Sequence, residues 1–334
     1  MKRKILISAC LICLSMMFTV SASENSPSTV RIQGSDRIST AVQIAKNGWT
    51  KADNVVIATA WDYPDSLSAA PLAKKLNAPI LLTDKDALPQ VVSDEISSLG
   101  VKNAYIAGGT SVVSEAIANT LQKKNINVTR LAGANRHDTS VKIAEQMGNA
   151  GEIVVTTGYD FPDALSVSPI AALKGMPILL VDKNTPIDCI QNYIKGKNIS
   201  KTYLLGDINI ISDNVAKGFP NIERILGEDA YERNINIINK FSSSLNFATV
   251  FYATGENYAD ALAGSALAPA SHSPIILVNT TPNKVTTDFV TSKKDVIKAI
   301  EILGGPSAIS DNTVKLLTPV IQVSNDDFQI IGVD

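Results

Sequence analysis

The sequence repeats itself three times at intervals of about one hundred residues, and this period limits the folds open to the chain. Three glycines mark the interval and lie 98 residues apart: Gly108, Gly206 and Gly304. A Pro-Ile-Leu-Leu segment at 79–82 returns at 177–180 and, as Pro-Ile-Ile-Leu, at 274–277. Solenoid repeats span roughly 20–50 residues, so this period is too long for a solenoid. Each copy is long enough to be a small domain with its own core.

We therefore divide the chain into a leader and three tandem domains. The predicted boundaries are 1–22 for a signal peptide, 23–127 for repeat 1, 128–221 for repeat 2, and 222–334 for repeat 3 with a short C-terminal tail. Because the copies occupy most of the chain, we expect its function to reside in the repeats or between them.

The N-terminus has the pattern of a secretory signal. Three basic residues at 2–4 precede an apolar run at 5–20, and Val20-Ser21-Ala22 offers small residues for cleavage. A membrane anchor is the alternative, but the run is short and polar residues follow it at once. A lipidated Cys10 would leave too few apolar residues before it. No later stretch is long and apolar enough to span a bilayer, so we predict a secreted protein with no membrane span.

Charge and cysteine content exclude several classes of protein. Removal of residues 1–22 takes away three basic groups and leaves a net charge of −5, so we expect no general binding to nucleic acid. Two of the three cysteines lie in the leader, and Cys189 in an apolar pattern is predicted to be a buried core thiol. Without an internal disulfide, the domains must rely on packed hydrophobic cores.

Strands and helices alternate through every copy with short loops between them. The apolar segment 54–59 is typical of a strand buried on both faces, and 80–82 predicts the next strand. This alternation predicts an α/β protein of three tandem Rossmann- or flavodoxin-like domains with mostly parallel sheets. Four segments resemble an opening strand: those near Arg31, Arg130, Arg224 and Val320. The last is expected to close the third domain, and the strand at Arg130 could belong to either of the first two copies.

One helix in each copy is rich in small residues and begins near an aspartate, Asp65, Asp163 or Asp260. We interpret these aspartates as helix N-caps. The small side chains allow two arrangements: packing of each helix on its own sheet, or close contact of the three helices around a pseudo-threefold axis.

Catalytic material is scarce. The mature chain has only His137 and His272, and no Cys/His cluster has metal-ligand spacing. The glycine pairs 108–109 and 304–305 match neither a phosphate loop nor a dinucleotide fingerprint. We therefore predict no catalytic residues, no metal and no cofactor.

One polar constellation stands out at the predicted carboxyl edge of the strands, where ligands collect in open α/β sheets. Repeat 1 supplies Arg37, Asp62 and Asp84; repeat 2 supplies Arg136, Asp160 and Asp182; repeat 3 has Ala230, Asn257 and Asn279 instead. Loss of the cation and both carboxylates together suggests that each arginine is forked between its carboxylates. Such a cluster could fasten loops, or it could form a polar pocket for a sugar or a cation.

These segments together resemble a known family. The sequences at 32–37, 131–136 and 226–229, each followed by its Asp-containing and Pro-Ile-Leu-Leu segments, are similar to the cell wall binding repeat 2 family over about 31–317. That resemblance implies Gram-positive surface location, three Rossmann- or flavodoxin-like domains in a pseudo-trimer, and non-covalent anchoring to an anionic, teichoic-acid-like secondary wall polysaccharide. It also implies surface-layer proteins as possible partners.

An acidic protein that binds an anionic polymer needs local basic pockets or bridging cations. The candidate bases are Arg37, Arg136, Lys74, Lys75 and Lys174. The leading hypothesis is a non-catalytic wall-binding module, which could be a component of a surface layer. The alternatives are a wall hydrolase of the N-acetylmuramoyl-L-alanine amidase type, and a purely structural adhesin or assembly subunit.

Overall fold

The computed structural model describes residues 26–319. The predicted signal peptide and the segment near Val320 therefore lie outside the described residues. Within 26–319, every helix is too short or too polar to cross a bilayer.

Strands and helices alternate along this part of the chain. The strands are β1 (Ser28–Ile32), β2 (Asn54–Thr59), β3 (Ile80–Thr83), β4 (Asn103–Ala107), β5 (Asn127–Leu131), β6 (Glu152–Thr157), β7 (Ile178–Val181), β8 (Lys201–Leu205), β9 (Ile222–Ile225), β10 (Thr249–Thr254), β11 (Ile275–Val278) and β12 (Ala299–Leu303). The α-helices are α1 (Arg37–Gly48), α2 (Ala69–Lys75), α3 (Gln90–Leu99), α4 (Glu115–Lys123), α5 (Arg136–Met147), α6 (Pro162–Lys174), α7 (Asp188–Ile194), α8 (Asp213–Ala216), α9 (Ala230–Lys240), α10 (Ala259–Leu267), α11 (Lys284–Ser292) and α12 (Asp311–Leu317).

The strands form three parallel four-stranded sheets, which confirms the predicted fold class. Their orders are β3-β2-β4-β5, β7-β6-β8-β9 and β11-β10-β12-β1. The strands β2, β6 and β10 are central in their sheets, and the next two strands along the chain lie on either side of each. This is the beginning of the flavodoxin-like order, in which the chain reverses direction across the sheet beside the central strand.

Each sheet takes its last strand from the following copy. Strand β5, which carries Arg130, pairs with β4 and so belongs to the sheet of repeat 1. Strand β9 pairs with β8 in the same way. The sheet of repeat 3 is completed by β1, which pairs with β12 from Ser28↔Ala299 to Ile32↔Leu303. Strand β1 thus fills the place that the sequence assigned to the segment near Val320, and the three copies close into a ring.

An arginine on each exchanged strand fixes this closure. Each guanidinium donates to the carbonyl of the glycine that ends the neighbouring strand: Arg31 to Gly304 at 2.9 Å, Arg130 to Gly108 at 3.1 Å and Arg224 to Gly206 at 3.1 Å. All three glycines have positive φ, between 98° and 122°, which favours glycine at the turn that presents the carbonyl. The repeated arginine therefore ties each copy to the next.

The three small-residue helices, α2, α6 and α10, contact one another in all three pairs. One continuous hydrophobic core contains the fully buried Leu67, which directly precedes the N-cap of α2, and its counterparts Leu165 in α6 and Leu262 in α10. Equivalent aromatic residues also meet, because the rings of Tyr63, Phe161 and Tyr258 have centroids 5.3–6.1 Å apart. The helices therefore surround a pseudo-threefold axis, and the small side chains permit their close approach.

Candidate functional site

Two open pockets lie beyond the carboxyl ends of the strands, where the chain reverses direction across the sheet. Open α/β sheets bind ligands at this position. We call the cavity over β10, β12 and β1 pocket I; its volume is about 360 Å³, and its lining includes Gly34, Arg37, Asn257, Asp260 and Gly305. The equivalent cavity over β2, β4 and β5 is pocket II; it has about 240 Å³ and is lined by residues that include Asp62, Asp65, Gly109, Gly133 and Arg136.

The exchange of strands regroups the residues that sequence periodicity placed together. Pocket I combines Arg37 from repeat 1 with Asn257 and Asp260 from repeat 3. Pocket II combines Arg136 from repeat 2 with Asp62 from repeat 1. The pockets therefore lie at the junctions between copies, because helices α1 and α5 follow strands that belong to the preceding sheet.

The predicted fork of each arginine between carboxylates is wrong. Within residues 26–319, neither Arg37 nor Arg136 has a carboxylate oxygen within 4.0 Å. Arg37 Nη1 donates instead to the Ala60 carbonyl at 2.9 Å, and its guanidinium lies 4.9 Å from the ring centroid of Trp61. An exposed aromatic ring thus stands where a carboxylate was expected, and it attracts the cation through its negative face.

In repeat 1 the distal carboxylate contacts the aromatic ring and not the arginine. Asp84 accepts a hydrogen bond from Trp61 Nε1 at 2.6 Å, so it orients the ring on which Arg37 stacks. In repeat 2, Arg136 donates to the Gly158 carbonyl at 2.5 Å and stacks 4.9 Å from the centroid of Tyr159. The resulting Arg–aromatic–Asp units are Arg37–Trp61–Asp84 and Arg136–Tyr159–Asp182.

Asp182 is held in its charged form. Its Oδ1 accepts from the backbone N–H of Asn184 at 2.8 Å and of Thr185 at 3.0 Å. The bond from Asn184 is the main cause that lowers the pKa of Asp182, and hydrogen bonds from Thr185 and from the Tyr159 side chain lower it further. The Asp182 carboxylate therefore stays ionised at neutral pH.

Asp62 and Asp160 are exposed residues in the turns that follow β2 and β6. Each side chain accepts from the backbone N–H of the next residue, Tyr63 or Phe161, at 2.9 Å. These bonds order the turn and leave the other carboxylate oxygen facing solvent. Asp62 borders pocket II, and its repeat-3 counterpart Asn257 borders pocket I.

Repeat 3 has no Arg–aromatic–Asp unit. Glu256 stands in the place of Trp61, and its Oε1 accepts from the N–H and hydroxyl of Thr280 at 3.2 and 3.0 Å. Ala230 and Asn279 replace the arginine and the distal carboxylate. Repeat 3 thus lacks the polar residues of the other two copies, but the changes affect different places in the ring. Ala230 lies at the junction of repeats 2 and 3, whereas Asn257 borders pocket I at the junction of repeats 3 and 1.

The two lysines predicted to bind ligand lie elsewhere. Lys174 pairs with Glu152, which begins β6, at 3.1 Å. Lys74 lies at the end of α2, beside Lys75, which donates to the Met147 carbonyl at 2.6 Å. Helices α2 and α6 begin at the carboxyl edge and run back across the sheet, so their last residues lie at the opposite edge from both pockets.

The aspartates Asp65, Asp163 and Asp260 are not N-caps, contrary to the sequence interpretation. The N-cap residues of α2, α6 and α10 are Ser68, Phe161 and Tyr258. Asp163 and Asp260 lie inside the first helical turn, and Asp65 precedes its helix. Each aspartate is thus directed toward a pocket position of the ring instead of toward its own helix backbone.

The third pocket position, which we call the filled pocket, is occupied by Arg233. Its Nε donates to Asp163 Oδ1 at 2.8 Å, and its Nη1 donates to the Gly227 carbonyl at 3.3 Å. Gly227 and Asp163 are the counterparts of Gly133 and Asp65 in pocket II. Only 7% of Arg233 and 3% of Asp163 is exposed. Burial raises the pKa of Asp163, and the guanidinium opposes that rise.

Threonines stand in place of Arg233 at the two open pockets. Thr40 Oγ1 accepts from the N–H of Gly34 at 3.0 Å, and Thr139 Oγ1 accepts from the N–H of Gly133 at 3.1 Å. These short side chains fold back onto the preceding loop and leave the cavity empty of side chain. Two substitutions thus separate the filled pocket from an open one: Arg233 replaces the threonine, and Ala230 replaces the arginine that borders each open pocket.

Sequence reasoning missed Arg233, Trp61 and Tyr159. Arg233 carried a signal, because it replaces a threonine at one position of a periodic alignment while the nearby aspartate is kept. The aromatic residues carried a weaker signal, since Trp61 and Tyr159 vary in type between copies. Both are more than half exposed, at 61% and 56%.

The remaining titratable candidates are engaged structurally. His137 is buried, and its Nδ1 lies 2.7 Å from the Leu180 carbonyl, as expected for a structural histidine. Cys189 is half-buried, and burial raises the pKa of its thiol to about 12. Such a thiol stays protonated near neutral pH and is a poor nucleophile.

The charged form of Asp260 lowers the free energy of unfolding at neutral pH, because its carboxylate is largely buried. Burial raises its pKa to about 6, and Arg37 offsets only part of the effect. A shift of that size corresponds to roughly 3 kcal/mol of disfavoured ionisation. Above pH 6 both states of the chain carry the charge, so the folded state bears the whole penalty. As the pH falls from about 6 to about 4, the folded protein takes up a proton and the penalty disappears.

We therefore expect Asp260→Asn to raise the free energy of unfolding by about 1–3 kcal/mol at pH 7.5 and to have little effect below pH 4. Urea denaturation at several pH values measures this. The matched control is Asp86→Asn at an exposed carboxylate, for which we expect no comparable gain. A loss of stability in Asp260→Asn at pH 7.5 would contradict the prediction.

Comparison with known proteins identifies the family. The sequence matches Cell wall binding domain 2 (CWB2) over residues 31–118, 130–216 and 224–314. This chain belongs to that family. The three matched segments coincide with the three copies that the sequence periodicity predicted.

Curated relatives are longer than this chain. It is 34% identical over 316 residues to N-acetylmuramoyl-L-alanine amidase LytC of Bacillus subtilis (strain 168), which covers 94% of this chain and 63% of the relative. It is 33% identical over 290 residues to the Amidase enhancer of the same organism, covering 86% of this chain and 40% of that protein.

Two solved structures share the fold. Cwp6 from Clostridium difficile superposes with a TM-score of 0.81 at 26% identity, covering 86% of this chain and 47% of that chain. Cwp8 from the same organism gives 0.78 at 28% identity, covering 86% and 51%. The cell-wall-binding family and the three-copy α/β arrangement predicted from sequence are therefore confirmed.

Proposed function

We propose that this protein is a non-catalytic, secreted anchor that binds an anionic, teichoic-acid-like secondary cell wall polysaccharide non-covalently. The observation that carries the proposal is the pair of Arg–aromatic–Asp units beside open pockets I and II, in a chain of the CWB2 family. A half-buried guanidinium at the rim of a pocket suits phosphate or carboxylate groups, and an exposed ring presents an apolar face to a sugar.

Two local positive charges, those of Arg37 and Arg136, explain how a protein of net negative charge could bind an anionic polymer. Arg37 and Arg136 carry no carboxylate partner within 4.0 Å in the described part of the chain, so their positive charge is available to a ligand. Each arginine is nevertheless held in place by a carbonyl and a ring. A fixed cation without a salt-bridge partner is a better anion site than a mobile surface lysine, because less side-chain entropy is lost on binding.

Sedimentation with purified cell walls tests this proposal. We expect the mature protein to pellet with walls, and to stay in solution with walls that have been chemically stripped of anionic polymer. Undiminished binding to bare peptidoglycan would overturn the assigned ligand. Localisation at the cell wall, and partnership with surface-layer proteins, follow from the same proposal.

A wall hydrolase is the second candidate, since one relative is an amidase. This chain spans 63% of that relative, so the relative's activity does not transfer to it directly. Among residues 26–319 there is no group of three or more His, Cys, Asp and Glu side chains arranged to hold a metal ion. Clearing of walls by the pure protein in a zymogram would favour the hydrolase, and intact walls after prolonged incubation would favour the anchor.

A further inference from the structure

The three pocket positions of the ring differ in where the chain places its cation: Arg233 fills one of them, whereas Arg37 and Arg136 border the other two, where Ala230 is their counterpart at the filled pocket. In the filled pocket, the Arg233 guanidinium meets the buried Asp163 carboxylate at 2.8 Å. Pockets I and II keep the equivalent carboxylates, Asp260 and Asp65, but have threonine in place of the arginine. The two open pockets thus contain an acceptor for a positive charge without that charge.

Within residues 26–319, the carboxylates in the open pockets have no salt-bridge partner. Asp260 and Asp65 form no ion pair within 4.0 Å in the described residues. Both line the cavities and approach the end of a neighbouring strand, because a Cβ added to Gly304 would collide with Asp260 Oδ2, and one added to Gly108 would lie 3.0 Å from Asp65 Oδ2. Glycine at both strand ends therefore leaves the space in which these carboxylates sit.

From this comparison we infer that the filled pocket is an internal copy of the liganded state, and that pockets I and II each bind a positively charged ammonium-type group of the ligand at Asp260 and Asp65. This deepens the proposed function and rests on it. Arg37 and Arg136, on the rims of the same pockets, then bind an adjacent anionic group. The ligand class is a zwitterion, an ammonium beside a phosphate or carboxylate, with two sites per chain instead of three.

The geometry favours an organic cation over a metal ion. The occupant of the filled pocket is a guanidinium that forms directional hydrogen bonds to a carboxylate and to the Gly227 carbonyl. An ammonium group can form the same kind of bonds to the same two acceptors. Asp36, Glu256 and Asp260 all line pocket I, yet within residues 26–319 no three His, Cys, Asp or Glu side chains are grouped so that they could hold a metal ion.

Phosphoethanolamine is the probe that tests this inference, because it carries an ammonium and a phosphate in one small molecule. Glycerol phosphate and ethanolamine each carry one of the two charges and are the controls. In isothermal titration of the mature chain without divalent cations, we expect two sites for phosphoethanolamine and at least tenfold weaker binding of either control. Equal affinity for glycerol phosphate, or binding that requires Ca²⁺, would overturn the inference.

Variants assign the sites. Asp65→Asn and Asp260→Asn keep the shape of the side chain, and each should remove one site while leaving the other. Arg233→Thr together with Ala230→Arg recreates both open-pocket residues and should add a third site that Asp163→Asn then removes. Should this double variant not fold, the two aspartate variants still decide the matter, since unchanged binding in both would refute the cation site.

Wall fractions separate failure of this inference from failure of the proposed function and locate the ammonium group. Purified wall polymer and purified peptidoglycan are compared as competitors, each before and after N-acetylation of its amines. We expect polymer to compete only before acetylation. If wall binding requires Arg37 and Arg136 but is insensitive to acetylation, the anchor stands and the cation site is wrong. If peptidoglycan alone competes in an amine-dependent way, the cation site stands and the polymer assignment is wrong.

Discussion

Arg233→Ala should lower the free energy of unfolding by about 3–5 kcal/mol at pH 7.5, the largest single-residue effect that we expect on stability. The substitution leaves Asp163 buried in the filled pocket with no counter-charge. Breaking a buried ion pair by removing one partner is much more costly than removing both, because the remaining charge has lost its hydration without compensation.

The loss should depend on pH in a defined direction. In the variant, burial without the guanidinium raises the pKa of Asp163 further, since the charge that opposed the rise is gone. The penalty is present above that raised pKa, and it disappears as the pH falls and the folded state takes up a proton. Urea denaturation at pH 7.5 and at pH 4 measures both values.

The matched control is the double variant Arg233→Met with Asp163→Leu, which removes both charges and keeps most of the apolar volume. We expect it to recover much of the stability, because well-packed hydrophobic replacements of buried ion pairs are often neutral or better. A loss below about 1 kcal/mol in Arg233→Ala would mean that water enters the vacated space and solvates Asp163.

The fold was predictable because its signals are local and occur three times. Apolar strands such as 54–59, and the helical spacing between them, give the alternation of a parallel α/β sheet in each copy. The repeated opening strand was also visible in the sequence. The sheet that this strand joins was not visible, because long-range pairing decides the partner of a strand. Strands β1 and β12 are separated by about 270 residues, and the closed ring brings them together.

The same long-range exchange explains why the site was only partly predictable. Arg37, Arg136 and Asp62 were placed correctly at the carboxyl edge, because that follows from their position after a strand. Their grouping was wrong, since periodicity assigns residues to copies whereas the pockets form between copies. Asp163 was interpreted through its own helix, and its true partner Arg233 lies 70 residues away.

A wrong physical expectation also had a local cause. An arginine with nearby aspartates suggests an ion pair, yet Arg37 stacks on Trp61, and Asp84 reaches only the indole N–H of that ring. The sequence predicts that Arg37, Trp61 and Asp84 lie close together. It does not predict which of the three side chains contact each other, because that depends on their lengths and orientations in the fold. Within the described residues the arginine consequently has no salt-bridge partner, and this makes it a candidate for anion binding.

Removal of both rim arginines should have the largest effect on function. We expect Arg37→Ala and Arg136→Ala each to weaken wall binding about tenfold, as for loss of a hydrogen bond from a charged donor worth roughly 1.5–3 kcal/mol. The double variant should lose more than a hundredfold, because two pockets on one chain that engage the same polymer reinforce each other. Sedimentation over a range of wall concentrations measures these affinities.

The double variant must be shown to be folded before its binding is interpreted. Each arginine donates to one backbone carbonyl, Ala60 or Gly158, so a stability cost of about 1 kcal/mol per substitution is expected and should not unfold the protein. The matched control is Lys74→Ala with Lys174→Ala, which removes two cations at the opposite edge of the sheets. Because net charge changes equally in both double variants, a general electrostatic attraction to the wall would weaken both alike. Loss in the arginine variant alone would place the polymer at pockets I and II, whereas loss in the lysine variant alone would place it at the other edge of the ring.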